Sequence, residues 1–250
     1  MPVEAPGIRL SQIDTDRWGV ITARADGLVA DELASALEFC DQQHVELLMA
    51  RCRVEDLATT HALGLTGFLL MDTLVYYERD LVRSPASGQA DGAIELLKPG
   101  EKDQVEAIAR ECFREYSGHY HADLRLDRAA CTETYASWAR ATCDPKAGGF
   151  VLVAGKAGER VGFSSFRMTP GNVGELVLGA VLPSGRGAGL YRNLTLAGML
   201  RLQAAGATRF RTSTHLSNWG AQASWTAAGL HPVEAYHTYH RWFDRPSPRA

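Results

Sequence analysis

VGELVLGAVLPSGRGAGLYRNLTLAGMLRLQA, residues 173 to 204, is the stretch from which the fold of this chain is read. Val173 to Leu182 is a short apolar run dense in β-formers, and Pro183 ends it. Ser184 to Gly189 is rich in glycine, and Leu190, Leu194, Ala197, Leu200 and Leu202 then recur with helical spacing. The pattern is strand, tight loop, helix. Gly185, Gly187 and Gly189 permit positive φ and a close approach to the backbone. The first helical turn beyond them offers unpaired N–H groups at the positive end of its dipole, a favourable place for phosphate.

Several phosphate loops share that description, and the neighbouring residues separate them. A nucleotide-triphosphatase loop needs Lys and Ser/Thr after its last glycine, where Leu190 and Tyr191 stand here. A dinucleotide fingerprint wants glycines spaced G-x-G-x-x-G and an acidic residue some way downstream; these glycines are spaced by two, and residues 205 to 211 hold no carboxylate. What remains is a pyrophosphate gripped by backbone amides with Arg186 beside it, as coenzyme A would require. The same residues also suit an ordinary strand-to-helix turn.

Composition bounds the classes. The 250 residues are 46% hydrophobic and 22% charged, ordinary for a globular protein with a sizeable core. A net charge of -3 gives no general attraction to nucleic acid or to an anionic membrane, so an anion site must be local. The opening MPVEAPGIRL has no basic segment followed by an apolar one, and no apolar run reaches membrane-helix length, so a cytoplasmic protein is expected. Cys40, Cys52, Cys112, Cys131 and Cys143 are odd in number and form no C-x-x-C pair, and are read as reduced.

Outward from the central stretch, residues 8 to 82 read as αβαβ: helices at Val29 to Gln43 and Val54 to Leu65, strands at Val45 to Cys52 and Phe68 to Tyr77. RSPASGQADGA, residues 83 to 93, reads as a linker. Residues 94 to 250 then give a strand from Ile94, a helix Glu101 to Phe113, a polar loop Tyr116 to Asp127, and a helix Arg128 to Thr142. A hairpin about GKAGE and the central strand and helix follow. The chain closes with a strand Thr208 to His215, a helix from Asn218 ended by Gly229, and a strand pair through Phe243. One repeat is visible: with Gly67-Phe68 laid on Gly229-Leu230, the strand, helix, glycine and strand boundaries coincide. The first copy has no glycine loop ahead of it, as if it had lost its ligand grip.

This order, with ELVLGAVLPSGRGAGL and the later N-x-x-A-x-x-x-W-x-x-x-G-L of Asn218 to Leu230, resembles the GNAT superfamily of acetyl-CoA-dependent N-acetyltransferases over about 150 residues. The extra N-terminal half-module, the segment Ser117 to Asp127 and the RGAGLY loop are most similar to bacterial nucleotide-sugar N-acetyltransferases of the dTDP-fucosamine type. The resemblance implies an α+β GNAT (acyl-CoA N-acyltransferase) fold. Its mixed, mostly antiparallel sheet would carry helices on both faces, after a smaller degenerate αβαβ half-module at residues 1 to 82.

The resemblance also implies acetyl-CoA as cosubstrate and a small-molecule amine as acceptor, an aminodeoxy-sugar nucleotide first, with no nucleic acid, membrane or metal partner. Alternatives are an amino acid, peptide or amine-bearing natural product as acceptor, or a coenzyme A-binding module of weak turnover. A homodimer is compatible with the chain. Leu178, Gly179, Ala180 and Val181 would bond the pantetheine arm like an added strand. Arg186, Gly187, Ala188, Gly189, Leu190 and Tyr191 would hold the pyrophosphate, Asn218 would meet the pantetheine, and Trp225 would belong to the same cofactor-binding set. Two positions depart from the family: Ser184 stands where Gln or Arg opens the loop, and Trp225 stands where a Tyr commonly protonates the thiolate. An indole N–H is no acid near neutral pH.

Amine acetylation needs a neutral amine, a polarised carbonyl and a proton for sulfur. Glu175, two residues before the expected parting of strands, is the candidate base and is equally readable as a strand-edge carboxylate. A backbone N–H near Leu178 would meet the oxyanion. Tyr191, Tyr236 and Tyr239 are candidate acids, and solvent is an alternative proton source. His119, Tyr120, His121 and Arg125, with Asp123, are expected at the acceptor wall; a solvated loop capping a helix at Asp127 is the plainer reading. The H-x-H pair lacks a third ligand of suitable spacing.

Overall fold

The computed structural model describes residues 7–88, 94–156 and 159–244. Strand β1 (Ile8–Leu10), helix α1 (Gln12–Trp18) and strand β2 (Thr22–Asp26) open the chain and were not expected from its pattern. The reason is physical. β1 has three residues, and α1 has no apolar stripe; α1 is held by Asp14, whose buried carboxylate is paired with Arg24 of β2. The expected αβαβ series follows as α2 (Leu33–Gln42), β3 (Leu47–Arg53), α3 (Leu57–Leu65) and β4 (Leu69–Asp80). Then come β5 (Ile94–Leu96), α4 (Lys102–Phe113), α5 (His119–Ala122), α6 (Arg128–Thr142), β6 (Gly149–Lys156) and β7 (Glu159–Thr169). The chain ends with β8 (Val173–Val181), α7 (Leu190–Ala204), β9 (Arg209–His215), α8 (Trp219–Ala227) and β10 (His231–Trp242).

Two expectations are corrected. The segment 116–127, read as a loop, contains the single helical turn α5, and the closing strand pair is one long strand, β10. Residues 89–93 of the expected linker and residues 157 and 158 of the hairpin turn lie outside the described residues. No helix among the described residues is long and apolar enough to cross a membrane.

The described chain forms two compact units that do not follow sequence order. The first holds residues 7–74, 117–130 and 234–244, and the second holds the remainder, so the boundary expected at 83 to 93 does not coincide with theirs. In the first unit β2 runs parallel to β3 and antiparallel to β1, and β10 pairs antiparallel with β3, Tyr239 opposite Ala50. Its core packs Ala36 and Cys40 of α2 with Leu48, Ala50, Leu63, Phe68 and Tyr239. In the second unit β5, β6, β7 and β8 pair antiparallel in succession, and β9 joins β8 in parallel. α7 lies close on this sheet because glycine makes room for it. A Cβ on Gly198 would stand 2.1 Å from the ring of Phe166, and one on Gly174 would stand 2.8 Å from Leu202.

The internal repeat is matched residue for residue. β3, α3 and β4 have 7, 9 and 12 residues, and β9, α8 and β10 have 7, 9 and 12. Each helix begins on a capping side chain, Asp56 accepting from Thr59 N and Asn218 from Ala221 N, and each is followed by a glycine at positive φ, Gly67 (83°) and Gly229 (82°). The likeness extends upstream, since β2–α2–β3 and β8–α7–β9 are both parallel strand pairs joined by a helix. The two differ where a ligand would enter. In the first unit β2 stays paired with β3 to its last residue, Asp26 opposite Arg51, and the turn into α2 carries Asp31 and Glu32, which repel an anion.

Candidate functional site

The second unit behaves differently at the matching place. β8 and β9 pair at Val173–Arg209, Gly174–Phe210 and Glu175–Arg211, and Thr212 Oγ1 donates to the Leu176 carbonyl at 3.1 Å. Beyond that rung the parallel ladder stops, while β8 remains paired to β7 on its other edge through Val181. The cause is visible in the register with β7: Ser165 lies opposite Leu178 and Phe166 opposite Leu176, so Val177 is an extra residue. Such a bulge bends the strand and increases its twist. One edge of β8 is thereby turned away from its parallel neighbour, open to anything extended enough to pair with it.

The split opens into a cleft of about 520 Å³. One wall is β8 at Gly179, Ala180 and Val181; a second is the loop Gly185, Arg186, Gly187 and Gly189 with Leu190 and Tyr191; a third is Asn218, Gly220, Ala221 and Ser224 at the start of α8. Cys112, Phe113 and Tyr116 close it from the end of α4.

The loop is shaped by its glycines in two ways. Gly187 (φ 86°) and Gly189 (φ 70°) take the left-handed conformation with nothing within 4 Å of where a Cβ would sit, so bare backbone faces the opening. Gly185 does not; it is small because Val181 and Val161 would lie 3.0 and 3.3 Å from its Cβ. The Gly185 and Arg186 amides donate to Leu182 and Pro183, and the first closed turn of α7 is Asn193 N to Gly189 O at 3.0 Å. The amides of residues 187 to 192 therefore precede the closed ladder, as the first donors of a helix do. A diphosphate fits such a rim. Arg186 adds its charge while its Nε donates to the Val181 carbonyl at 3.1 Å, which ties the loop to β8.

The other expected residues fall into three groups. Tyr191 is at the cleft, with its ring carbon 3.0 Å from the position of a Gly179 Cβ, so that only glycine fits there. Burial pushes its phenol well above the ordinary tyrosine value, with the Trp225 indole only partly opposing, which makes it a poor proton donor. Leu178 and Ala188 flank the lining. Trp225 is corrected to a core residue, 1% exposed, packed on Tyr77 at 5.6 Å between ring centres. Glu175 also stands apart from the lining. It precedes the bulge on β8, its carboxylate accepts from Arg167 Nε at 2.6 Å, and its side chain is 30% exposed.

The residues expected at an acceptor wall belong to the first unit. His119, Tyr120 and His121 are buried there, so of the plainer alternative the solvated loop is not found while the helix cap is, Asp127 accepting from Ala130 N at 2.7 Å. His119 Nδ1 is 3.0 Å from His240 Nε2, and His240 Nδ1 is 2.6 Å from Asp123 Oδ2, which also accepts from Trp242 Nε1 at 2.9 Å. The Tyr120 hydroxyl donates to Asp14. Arg125 alone is exposed, lying over the Trp242 ring at 4.2 Å and paired with Asp244. Tyr236 and Tyr239, the other acid candidates, lie in the same unit: Tyr236 donates to Glu234, and Tyr239 is core. Burial raises the pKa of the Cys112 thiol at the cleft, against the nearby Arg186. Among the described residues no group of three or more His, Cys, Asp or Glu is arranged to hold a metal ion.

Tyr116 and Thr214 were missed. Tyr116 follows the last turn of α4, outside any motif; the available signal was the aromatic trio Phe113, Tyr116 and Tyr135, which pack together with ring centres 4.6 to 5.2 Å apart. Its hydroxyl lies 3.4 Å from Thr214 Oγ1 on β9, which accepts from Asn218 Nδ2 at 2.9 Å.

No family model and no curated relative matches the sequence. Solved structures do. A GCN5-related N-acetyltransferase from Sphaerobacter thermophilus is similar over 94% of this chain and 76% of its own, with a TM-score of 0.66 and 15% identity. A GCN5-related N-acetyltransferase from Kribbella flavida is similar over 95% and 88%, with a TM-score of 0.62 and 17% identity. A tandem GNAT protein from the clavulanic acid biosynthesis pathway is similar over 97% and 85%, with a TM-score of 0.57 and 17% identity. The chain has the GNAT fold.

Proposed function

We propose that this protein transfers the acetyl group of acetyl-CoA to a primary amine of a small molecule. The observation that carries the reading is the parting of β8 from β9 after Glu175 and Arg211, directly beside a loop whose amides and glycines suit a diphosphate. A long thin cosubstrate with a diphosphate at one end and amide groups along its arm matches both features at once. Its amides would pair with the open edge of β8 at residues 178 to 181, and its diphosphate would meet residues 186 to 191. A backbone N–H near Leu178 would receive the charge that develops on the thioester oxygen.

Glu175 is the base we propose, acting through water, since it lies beside the bulge and water reaches it. Glu175→Gln is expected to lower kcat/KM roughly 10- to 100-fold on the acid side of the acceptor's amine pKa and to leave acetyl-CoA affinity unchanged. A pH–rate profile identical to the parent's would dismiss Glu175. As acceptor we propose an aminodeoxy-sugar nucleotide, supported by the sequence resemblance. An amino acid, peptide or other amine is the competing acceptor. A coenzyme A-binding module without turnover is the competing class, favoured by Trp225 sitting in the core at the position of the usual acid.

One experiment separates these readings. The purified protein is titrated with acetyl-CoA by calorimetry, and free thiol is followed with a panel of dTDP-fucosamine, free amino acids, a peptide amine and a polyamine. Thiol release with one amine supports transfer and names the acceptor class. Binding without release under every amine favours the module, and absence of binding overturns both.

A further inference from the structure

Sulfur leaves a thioester as a thiolate, and the tyrosines expected to protonate it serve other ends: Tyr236 donates to Glu234, Tyr239 is core in the first unit, and burial pushes the Tyr191 phenol up. We propose that Tyr116 is the proton donor to the departing thiolate, an inference that rests on the acetyl-transfer reading above. Tyr116 lines the cleft half-buried, and its ring is fixed edge-on against Phe113 at 5.0 Å and His215 at 4.6 Å. A ring held on two sides presents its hydroxyl in one direction.

A short polar chain lies beside that hydroxyl. Asn218 Oδ1 accepts from the Ala221 amide at 3.3 Å, so its Nδ2 is the group that donates to Thr214 Oγ1 at 2.9 Å. The phenol oxygen of Tyr116 lies 3.4 Å from Thr214 Oγ1, and either hydroxyl can donate to the other, so the phenol is joined through Thr214 to Asn218. That contact is long for two hydroxyls, and catalytic hydrogen bonds often tighten only when substrate is bound.

The position along the split is also right. Thr214 stands three residues beyond Arg211 on β9, as Leu178 stands three residues beyond Glu175 on β8, the part of β8 where the thioester carbonyl is placed by the proposed binding. The other titratable groups there are less suited. The Cys112 thiol is raised by burial, and His215 Nδ1 is engaged with Ser217 Oγ at 2.8 Å.

The step balances. The amine nitrogen bonds to the carbonyl carbon and the C–S bond breaks, its electron pair leaving on sulfur. The Tyr116 O–H proton passes to sulfur, giving free coenzyme A thiol; the new amide nitrogen loses its proton to the base, and Tyr116 regains one from solvent.

The test uses whichever amine of the panel above gives the fastest thiol release, read in a single turnover so that product release does not mask chemistry. Tyr116→Phe keeps the packed ring and is expected to slow that step at least tenfold while acetyl-CoA affinity, measured by calorimetry, stays within threefold. Replacing Tyr116 by 3-fluorotyrosine, a more acidic phenol, is expected to move the alkaline limb of the rate to lower pH, which a packing role alone does not do. A parent-like rate in Tyr116→Phe, or an unmoved limb with fluorotyrosine, overturns this assignment and leaves acetyl transfer standing. A parent chain that releases no thiol with any amine overturns both.

Discussion

Gly187→Glu is expected to weaken acetyl-CoA binding at least 100-fold, to below calorimetric detection at ordinary concentrations, while the protein still unfolds cooperatively. The argument has two separable parts. Gly187 sits at φ 86°, so any L-residue strains the backbone by about 1–2 kcal/mol. Nothing lies within 4 Å of its Cβ position, so the new side chain meets no steric obstacle and projects into the opening. There the carboxylate faces a diphosphate: unit charges 4 Å apart repel by about 4 kcal/mol near a protein surface. Even with half of that lost to screening, and the strain added, the sum approaches 3 kcal/mol, or about 100-fold. Gly187→Asn isolates the strain, since Asn tolerates the left-handed region, and a loss of less than tenfold is expected. Equal affinities in the parent and in Gly187→Glu would remove the loop from the binding site altogether.

That site was only half legible in the sequence. The loop and its helix are local features, written in Pro183, three glycines and the apolar spacing of α7, and they are where the pattern put them. The split that makes the loop useful is not local. It depends on Val177 being an extra residue against β7 and on β9 parting from β8, pairings between segments that carry no mark in either strand's composition. Trp225 shows the same limit from the other side. Its place in a family pattern suggested a ligand contact, but burial is decided by what surrounds a residue, and Tyr77 packs against it. The repeat was legible because equal spacing survives where side chains have diverged, whereas β1 and α1 were not, because a buried Asp14–Arg24 pair rather than a periodic face holds them.

The fate of the two copies has a physical sense. Both keep a capped helix between two strands and a left-handed glycine after it, which are conditions for folding. Only the second keeps what a ligand needs: an open strand edge and a turn free of carboxylates. In the first, β2 closes fully on β3, and Gly27 and Leu28 amides both donate to the Arg51 carbonyl, consuming the donors that would otherwise be offered. A module that seals its edge gains backbone hydrogen bonds and loses its site.

Asp123→Ala is expected to be the most destabilising single change in the first unit, by about 3–5 kcal/mol in denaturant unfolding, a large part of the 5–15 kcal/mol typical of a domain. Asp123 is 4% exposed and accepts from His240 Nδ1, Trp242 Nε1 and the Arg125 amide. Removing the carboxylate strands the His240 and Trp242 donors in the interior, each at about 1–3 kcal/mol. The network extends to a second ring. His240 donates from Nδ1 to Asp123, and the 3.0 Å contact between its Nε2 and His119 Nδ1 joins the two rings. Burial opposes the Asp123 charge, but His240, Trp242 and the Arg125 amide outweigh it and hold the carboxyl below its ordinary value. Its contribution is complete above the unfolded value near 3.9 and is lost as pH falls through the lower folded one. His119 is pushed well below the ordinary histidine value, by burial first and by His240 next, so it stays neutral when the unfolded chain takes up a proton. Stability of the parent should therefore start to fall below about pH 6.5 and fall further below about pH 4. Asp123→Ala should flatten the second decline, and Asp123→Asn, which keeps an acceptor but no charge, should lie between. A parent whose stability is flat from pH 7 to 5 would show that His119 protonates as freely folded as unfolded, and its burial would then not be what keeps it neutral.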